Sequence, residues 1–195
     1  MNYPVDFTFK LLALASQIYV RDGNGNLIGY VKQKLFKLKE DINVFADEGQ
    51  TKQLFNIKAD RIIDFSANYR FSDSSGRHLG NIKRQGMRSI WKASYDIFNA
   101  SGQQVLKIHE ESAWVKVLDA LIGELPVVGM FTGYLFNPAY LIERMDGTVL
   151  MRLAKQPAFF EGKFQLSPQG QATQEEETLA LLGALTMTLL ERMKG

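Results

Sequence analysis

Two hydrophobic patterns divide this chain. In the first two thirds, extended aromatic-rich stretches run into a glycine turn and out into a second extended stretch, as in Ile18-Tyr19-Val20, Asp22-Gly23-Asn24-Gly25-Asn26 and Leu27-Ile28-Gly29-Tyr30-Val31. The shape recurs in Ile42 to Phe45 with Gln53 to Ile57 around Asp47-Glu48-Gly49, and in Tyr69 to Phe71 with His78 to Ile82 around Ser74-Ser75-Gly76. It recurs again in Tyr95 to Phe98 with Val105 to Ile108 around Ser101-Gly102, and in Tyr140 to Met145 with Thr148 to Leu153 around Asp146-Gly147. Asp-Gly and Ser-Gly between apolar runs predict hairpins, the glycine supplying the positive φ of the turn. Gly25, Gly49, Gly76 and Gly102 stand 24, 27 and 26 residues apart, and Gly147 follows after 45. Period two sets Leu106 and Ile108 against Val105 and Lys107, and Val149, Met151 and Leu153 against Leu150 and Arg152. With Lys32 to Lys39, Arg61 to Phe65 and Phe159 to Leu166 also extended, about a dozen strands are expected in an antiparallel meander.

The end of the chain is patterned differently. Thr178 to Leu190 carries no charge and has large side chains on every side of a 3.6-residue turn, so a helix there must be buried all round. Thr173 and Glu176 form a capping box, Glu175 to Glu177 suit the positive end of the helix dipole, and Arg192 and Lys194 the negative end. Its thirteen apolar-patterned residues span roughly 20 Å, short of the roughly 30 Å hydrocarbon layer, which favours a protein interior over lipid. Eight strands close on their own side chains; about a dozen leave a lumen that a helix about 10 to 12 Å across can fill. The expected fold is mainly β: an antiparallel barrel of about twelve strands enclosing a hydrophobic C-terminal α-helix, one domain over residues 1–195.

Three stretches stand outside this rhythm. Ser112 to Glu124 reads as an amphipathic helix with Trp114, Val117, Leu118, Leu121 and Ile122 on one side. Pro126 to Pro138 is apolar and glycine-punctuated; it reads as packed structure, the alternative being an exposed membrane or partner contact. Leu11 to Ala15 has the small-x-small ending of a signal peptide, but only five apolar residues follow Lys10 and Asp6 stands where basic residues belong, so cleavage is not expected.

Composition excludes several classes. With 46% hydrophobic and 23% charged residues and a net charge of +2, the chain is neither disordered nor a nucleic-acid coat. It has no cysteine, hence no disulfide, thiolate metal site or cysteine nucleophile, which fits the cytoplasm. Asp22-Gly-Asn24-Gly-Asn26 opens like a calcium loop, but Leu27 and Gln33 occupy the positions of its glycine and bidentate glutamate, so a hairpin turn is expected. Gly23-x-Gly25 with Gly29 lacks the spacing of a dinucleotide loop. His78 and His109 have no ligand-spaced partners, and neither a nucleophile elbow nor a Walker loop occurs. No enzymatic activity, metal or cofactor is expected.

The hairpins Tyr69-x-Phe71-x-Asp73-x-x-Gly76 and Tyr95-Asp-Ile97-Phe98-Asn-x-x-Gly102, the late strand Phe160-Glu-Gly-Lys-Phe164-Gln-Leu166 and the closing apolar helix resemble the LURP-one-related proteins. More distantly, they resemble the phospholipid scramblases, which share the tubby-like C-terminal fold. The resemblance spans nearly the whole chain and rests on order and spacing. It implies a twelve-stranded barrel around a hydrophobic helix, and phosphoinositide binding through basic surface residues. Scramblases carry an acidic calcium-binding segment before the final helix; here Leu166-Ser-Pro-Gln-Gly-Gln-Ala-Thr173 holds no carboxylate, so calcium dependence is not carried over.

Two basic groups are the candidate sites for an anionic headgroup. Lys32, Lys34, Lys37 and Lys39 follow one extended stretch, and Lys83, Arg84, Arg88 and Lys92 bracket Gln85-Gly86. Such charges also serve simply to protect strand edges. Acidic neighbours such as Glu40, Asp41, Asp60 and Asp64 would spoil a field for nucleic acid, which is not expected as a partner. The expected function is a cytoplasmic, non-enzymatic, lipid-contacting or signalling adaptor at a membrane surface. A protein-interaction module without a lipid role and a scramblase-like lipid transfer are the alternatives.

Overall fold

A computed structural model describes residues 1–12, 15–34, 41–60, 67–85, 94–111, 138–157 and 162–192. The chain forms strands β1 (Val5–Leu12), β2 (Ala15–Arg21), β3 (Leu27–Lys34), β4 (Asp41–Phe45), β5 (Gln53–Ala59) and β6 (Asn68–Asp73). They are followed by β7 (His78–Arg84), β8 (Ser94–Asn99), β9 (Gln104–Glu110), β10 (Ala139–Arg144), β11 (Val149–Gln156) and β12 (Gly162–Pro168), then helix α1 (Gln174–Arg192). Each strand pairs antiparallel with its neighbours in sequence and β1 pairs with β12, so the sheet closes into a twelve-stranded barrel without open edges. The helix expected at Ser112 to Glu124, the apolar stretch over residues 126–137 and the extended stretches over residues 35–39 and 61–65 lie outside the described residues.

The strand that closes the barrel, β1, is the one the sequence pattern left unassigned. Val5, Phe7 and Phe9 alternate inward at 0–2% exposure, and Phe7 stands opposite Phe164 of β12 and Val20 of β2. Leu11 and Leu12 end β1, and Ala15 begins β2.

The hairpins around Gly25, Gly76, Gly102 and Gly147 share one geometry, and the β4–β5 hairpin, closed from the Ala46 N–H to the Lys52 carbonyl, is a longer variant of it. A tight turn is closed by an N–H donated three residues back, and the outgoing strand then holds one residue with no partner opposite: Ile28, Leu54, Leu79, Val105 or Leu150. This is the turn-plus-bulge hairpin whose last turn residue must be left-handed. Gly25, Gly76, Gly102 and Gly147 fill that position with φ of 80° to 88°. In the β4–β5 hairpin the position falls on Gln50 (φ 57°), not on Gly49 as the spacing suggested. The bulge also corrects the alternation in β11, because stepping past Leu150 turns both Leu150 and Met151 inward at 0–1% exposure. In β9 the expected alternation holds, with Leu106 and Ile108 fully buried.

Helix α1 has no wet face beyond its first turns. Leu179, Leu182, Leu185, Met187 and Leu189 are at most 4% exposed and share one core with inward residues of every strand, from Phe7 of β1 to Leu166 of β12. Each such side chain contributes about 1.5–3 kcal/mol by leaving water. Thr186 and Thr188, also buried, donate their hydroxyls to the carbonyls of Leu182 and Ala184, so the helix core holds no unpaired hydroxyl there. At Gly183 a Cβ would lie 2.6 Å from Ile97 Cδ1, so the missing side chain lets α1 approach the wall at β8.

Candidate functional site

Topology distinguishes the two ends of the barrel. At the mouth lie the five glycine hairpins and the start of α1; at the far rim α1 ends and every odd-numbered strand arrives. Each of those strands carries a lysine within its last four residues: Lys10 on β1, Lys32 on β3, Lys58 on β5, Lys83 on β7, Lys107 on β9 and Lys155 on β11. Where two of them share a register row, as Lys10 and Lys32 do across Gln17 and Lys83 and Lys107 across Asp96, they stand roughly 10 Å apart, whereas Lys155, two residues past the inward Leu153, lies on the inner face of the wall.

The two groups expected from the sequence are therefore parts of one ring and not one patch. Lys32 and Lys83 are separated by β4, β5 and β6, about 19 Å along the wall. Lys34 ends β3 opposite Ala15, and Arg84 stands opposite Tyr95. Arg88 and Lys92, like Lys37 and Lys39, lie outside the described residues.

The ring is uneven in sign. Across β6 to β10 one register row reads Asn68, Lys83, Asp96, Lys107 and Glu143, so the Lys83 charge sits beside a carboxylate. Asp96 accepts hydrogen bonds from Gln85 and Gln104, and Glu143 pairs with Lys107 at 2.6 Å and with His109 at 3.3 Å. Burial raises the Glu143 pKa, but the hydrogen bonds from Lys107 and His109 outweigh it and hold the carboxyl below its ordinary range. Lys58 likewise faces Asp41.

From β11 round to β3 the picture differs. Lys10 and Lys32 are both exposed and both stand opposite Gln17, and Lys155 stands opposite Phe164. Lys163, in the same sector, is paired with Asp6 at 3.2 Å. Lys10 places its Nζ 5.1 Å from the centroid of the Tyr19 ring, and Arg21 lies 5.6 Å from the same ring. Tyr19 donates its hydroxyl to Glu48 at 3.0 Å; burial first, then that carboxylate, pushes its pKa up to about 12. Lys10 and Lys155 were not among the expected residues. The signal for Lys10 was the strand pattern itself: Val5, Phe7 and Phe9 mark β1, and adjacency of β1 to β2 then brings residues 10 and 32 to either side of Gln17.

The mouth is acidic, and Asp22, Asp47, Asp73, Glu176 and Glu177 are engaged there. Asp22 accepts the amides of Asn24 and Asn26, Asp73 those of Ser75 and Arg77, and Asp47 those of Thr51 and Lys52. The calcium-like opening at Asp22 is thus a self-capped turn. Glu176 closes the capping box with Thr173 and receives Arg144 in a two-point contact at 2.7 and 2.9 Å. The Arg144 hydrogen bond, with the Thr173 amide behind it, overcomes burial and holds the Glu176 carboxyl at about 2. Glu177 accepts the Tyr3 hydroxyl at 3.1 Å.

No group of three or more His, Asp or Glu side chains among the described residues is placed to hold a metal ion. Among the described residues no helix is long and apolar enough to cross a membrane.

A family model described as LURP-one-related matches residues 27–119. An X-ray structure of a protein from Arabidopsis thaliana is similar over 94% of this chain and 89% of its own, with 13% sequence identity and a TM-score of 0.47. No curated protein matches the chain.

Proposed function

We propose, for a chain that is LURP-one-related over residues 27–119, a non-enzymatic role as a barrel that meets an anionic membrane surface with its far rim. One observation carries the reading: Lys10 and Lys32, remote in sequence, stand exposed on either side of Gln17 in one register row of that rim, with no carboxylate opposite them among the described residues. A lysine near an anionic leaflet contributes about 1 kcal/mol, and the attraction falls away with salt. The ligand class is the phosphate-bearing lipid headgroup, phosphoinositides included. Protein interaction without lipid remains the alternative, favoured by the acidic mouth at the other end.

Sedimentation with liposomes of neutral lipid, with and without phosphoinositide, tests it. The wild-type chain is expected to bind only the charged vesicles. Lys10→Glu with Lys32→Glu is expected to weaken binding at least tenfold, more than Lys83→Glu with Arg84→Glu, whose sector already contains Asp96. Equal losses would move the site to the ring as a whole, and no binding to charged vesicles would leave the protein-interaction reading.

A further inference from the structure

The three glutamates that open α1 point to three different places. Successive helical residues are about 100° apart, and in a closed barrel of twelve strands each strand takes about 30° of the circumference. Glu176 meets Arg144 at the end of β10, and Glu177 meets Tyr3 just ahead of β1, three strands further round. The same step in the other direction takes Glu175 to the sector of β6 and β7. There it lines a cleft of about 600 Å³ together with Phe55, Arg77, His78, Leu79 and Leu179.

Glu176 and Glu177 strap the helix to the wall; Glu175 does not. It is exposed and makes no hydrogen bond or ion pair among the described residues. Phe55, Leu79 and Leu179 give the cleft an apolar lining, and Arg77 is neutralised by Asp73 at 3.0 Å. Among the described residues that line the cleft, Glu175 is therefore the charged side chain without an ion-pair partner. Asp47 and Glu48 on the neighbouring β4–β5 turn add negative charge to the surrounding field.

We propose that this cleft receives the arginine or lysine side chain of a partner polypeptide, its aliphatic stem against Phe55, Leu79 and Leu179 and its cation against the Glu175 carboxylate. Long basic side chains suit a site that is apolar along its length and acidic at its end. The assignment stands on charge complementarity at the mouth and is independent of the lysine sector at the far rim.

The test is an NMR titration of the full chain with a blocked arginine tripeptide, acetyl-Gly-Arg-Gly-amide, and with its glutamate counterpart. The arginine peptide is expected to shift the amides of Arg77, Leu79, Ala100 and Leu179 saturably. Glu175→Gln, with thermal stability retained, is expected to weaken that binding at least threefold, while Lys10→Glu with Lys32→Glu leaves it unchanged. The proposal is overturned if the arginine peptide gives no saturable shift, if the glutamate peptide shifts the same amides equally, or if Glu175→Gln leaves the affinity unaltered.

Discussion

At the mouth, Asp22, Asp47 and Asp73 are hydrogen-bonded into their own turns and Glu176 is held by Arg144; at the far rim Lys32, Lys58, Lys83 and Lys155 make no ion pair among the described residues. Both ends are rich in charge, yet the same quantity is used in opposite ways. A charge bound to the backbone or to a partner within the fold supports local structure and is unavailable to a ligand. A charge left in solvent adds little stability and is free to act on something outside. Engagement, and not abundance, separates structural charge from candidate function here.

Substitutions can break or sharpen that contrast. The largest effect is expected from Leu185→Asp, which puts an unpaired carboxylate in the helix core that supports both ends; a loss of about 4–5 kcal/mol or more should leave the protein insoluble on expression. Gly80→Ala strikes the mouth alone. Its Cβ would lie 2.3 Å from the Phe98 carbonyl oxygen and 2.8 Å from Leu179 Cδ2, at φ 154°, and should cost about 2–4 kcal/mol in chemical denaturation.

Arg144→Met should cost about 1–2 kcal/mol at neutral pH, since the pair is partly solvated. The folded-state pKa of Glu176 is depressed from 4.5 to about 2, so the stability it contributes is present above 4.5 and lost as pH falls toward 2. Denaturation curves of wild type and Arg144→Met should therefore converge across that window. Gln50→Gly should gain about 0.5–1 kcal/mol, because it relieves a left-handed side chain in the one hairpin that lacks glycine at that position. Lys10→Glu with Lys32→Glu should change stability by no more than about 0.5 kcal/mol, while its effect on vesicle binding is large.

Much of this architecture was legible in the chain. The all-round apolarity of Thr178 to Leu190 and the capping box at Thr173 announced a buried helix with a defined start, and hairpin punctuation announced the meander. What was not legible follows from what a local pattern omits. The bulge that turns Leu150 inward depends on a cross-strand register, so strict alternation misplaced it. The left-handed position at Gln50 depends on where the turn closes, and Gly49 was one residue early. Lys10 joins Lys32 through the consecutive strands β1, β2 and β3, a contact legible only once Val5, Phe7 and Phe9 are read as a strand. Grouping lysines by proximity in sequence instead joined Lys83 to Arg84, where Asp96 on the next strand offsets them.

The account turns on which end faces the membrane, and the absence of cysteine makes that directly measurable. An environment-sensitive fluorophore can be attached at Gln156→Cys on the far rim or at Ser75→Cys at the mouth, and each protein mixed with phosphoinositide vesicles carrying a lipid-linked quencher. The far-rim label is expected to be quenched in proportion to bound protein and the mouth label to be unaffected. Quenching at Ser75→Cys, or equal quenching at both sites, would contradict it.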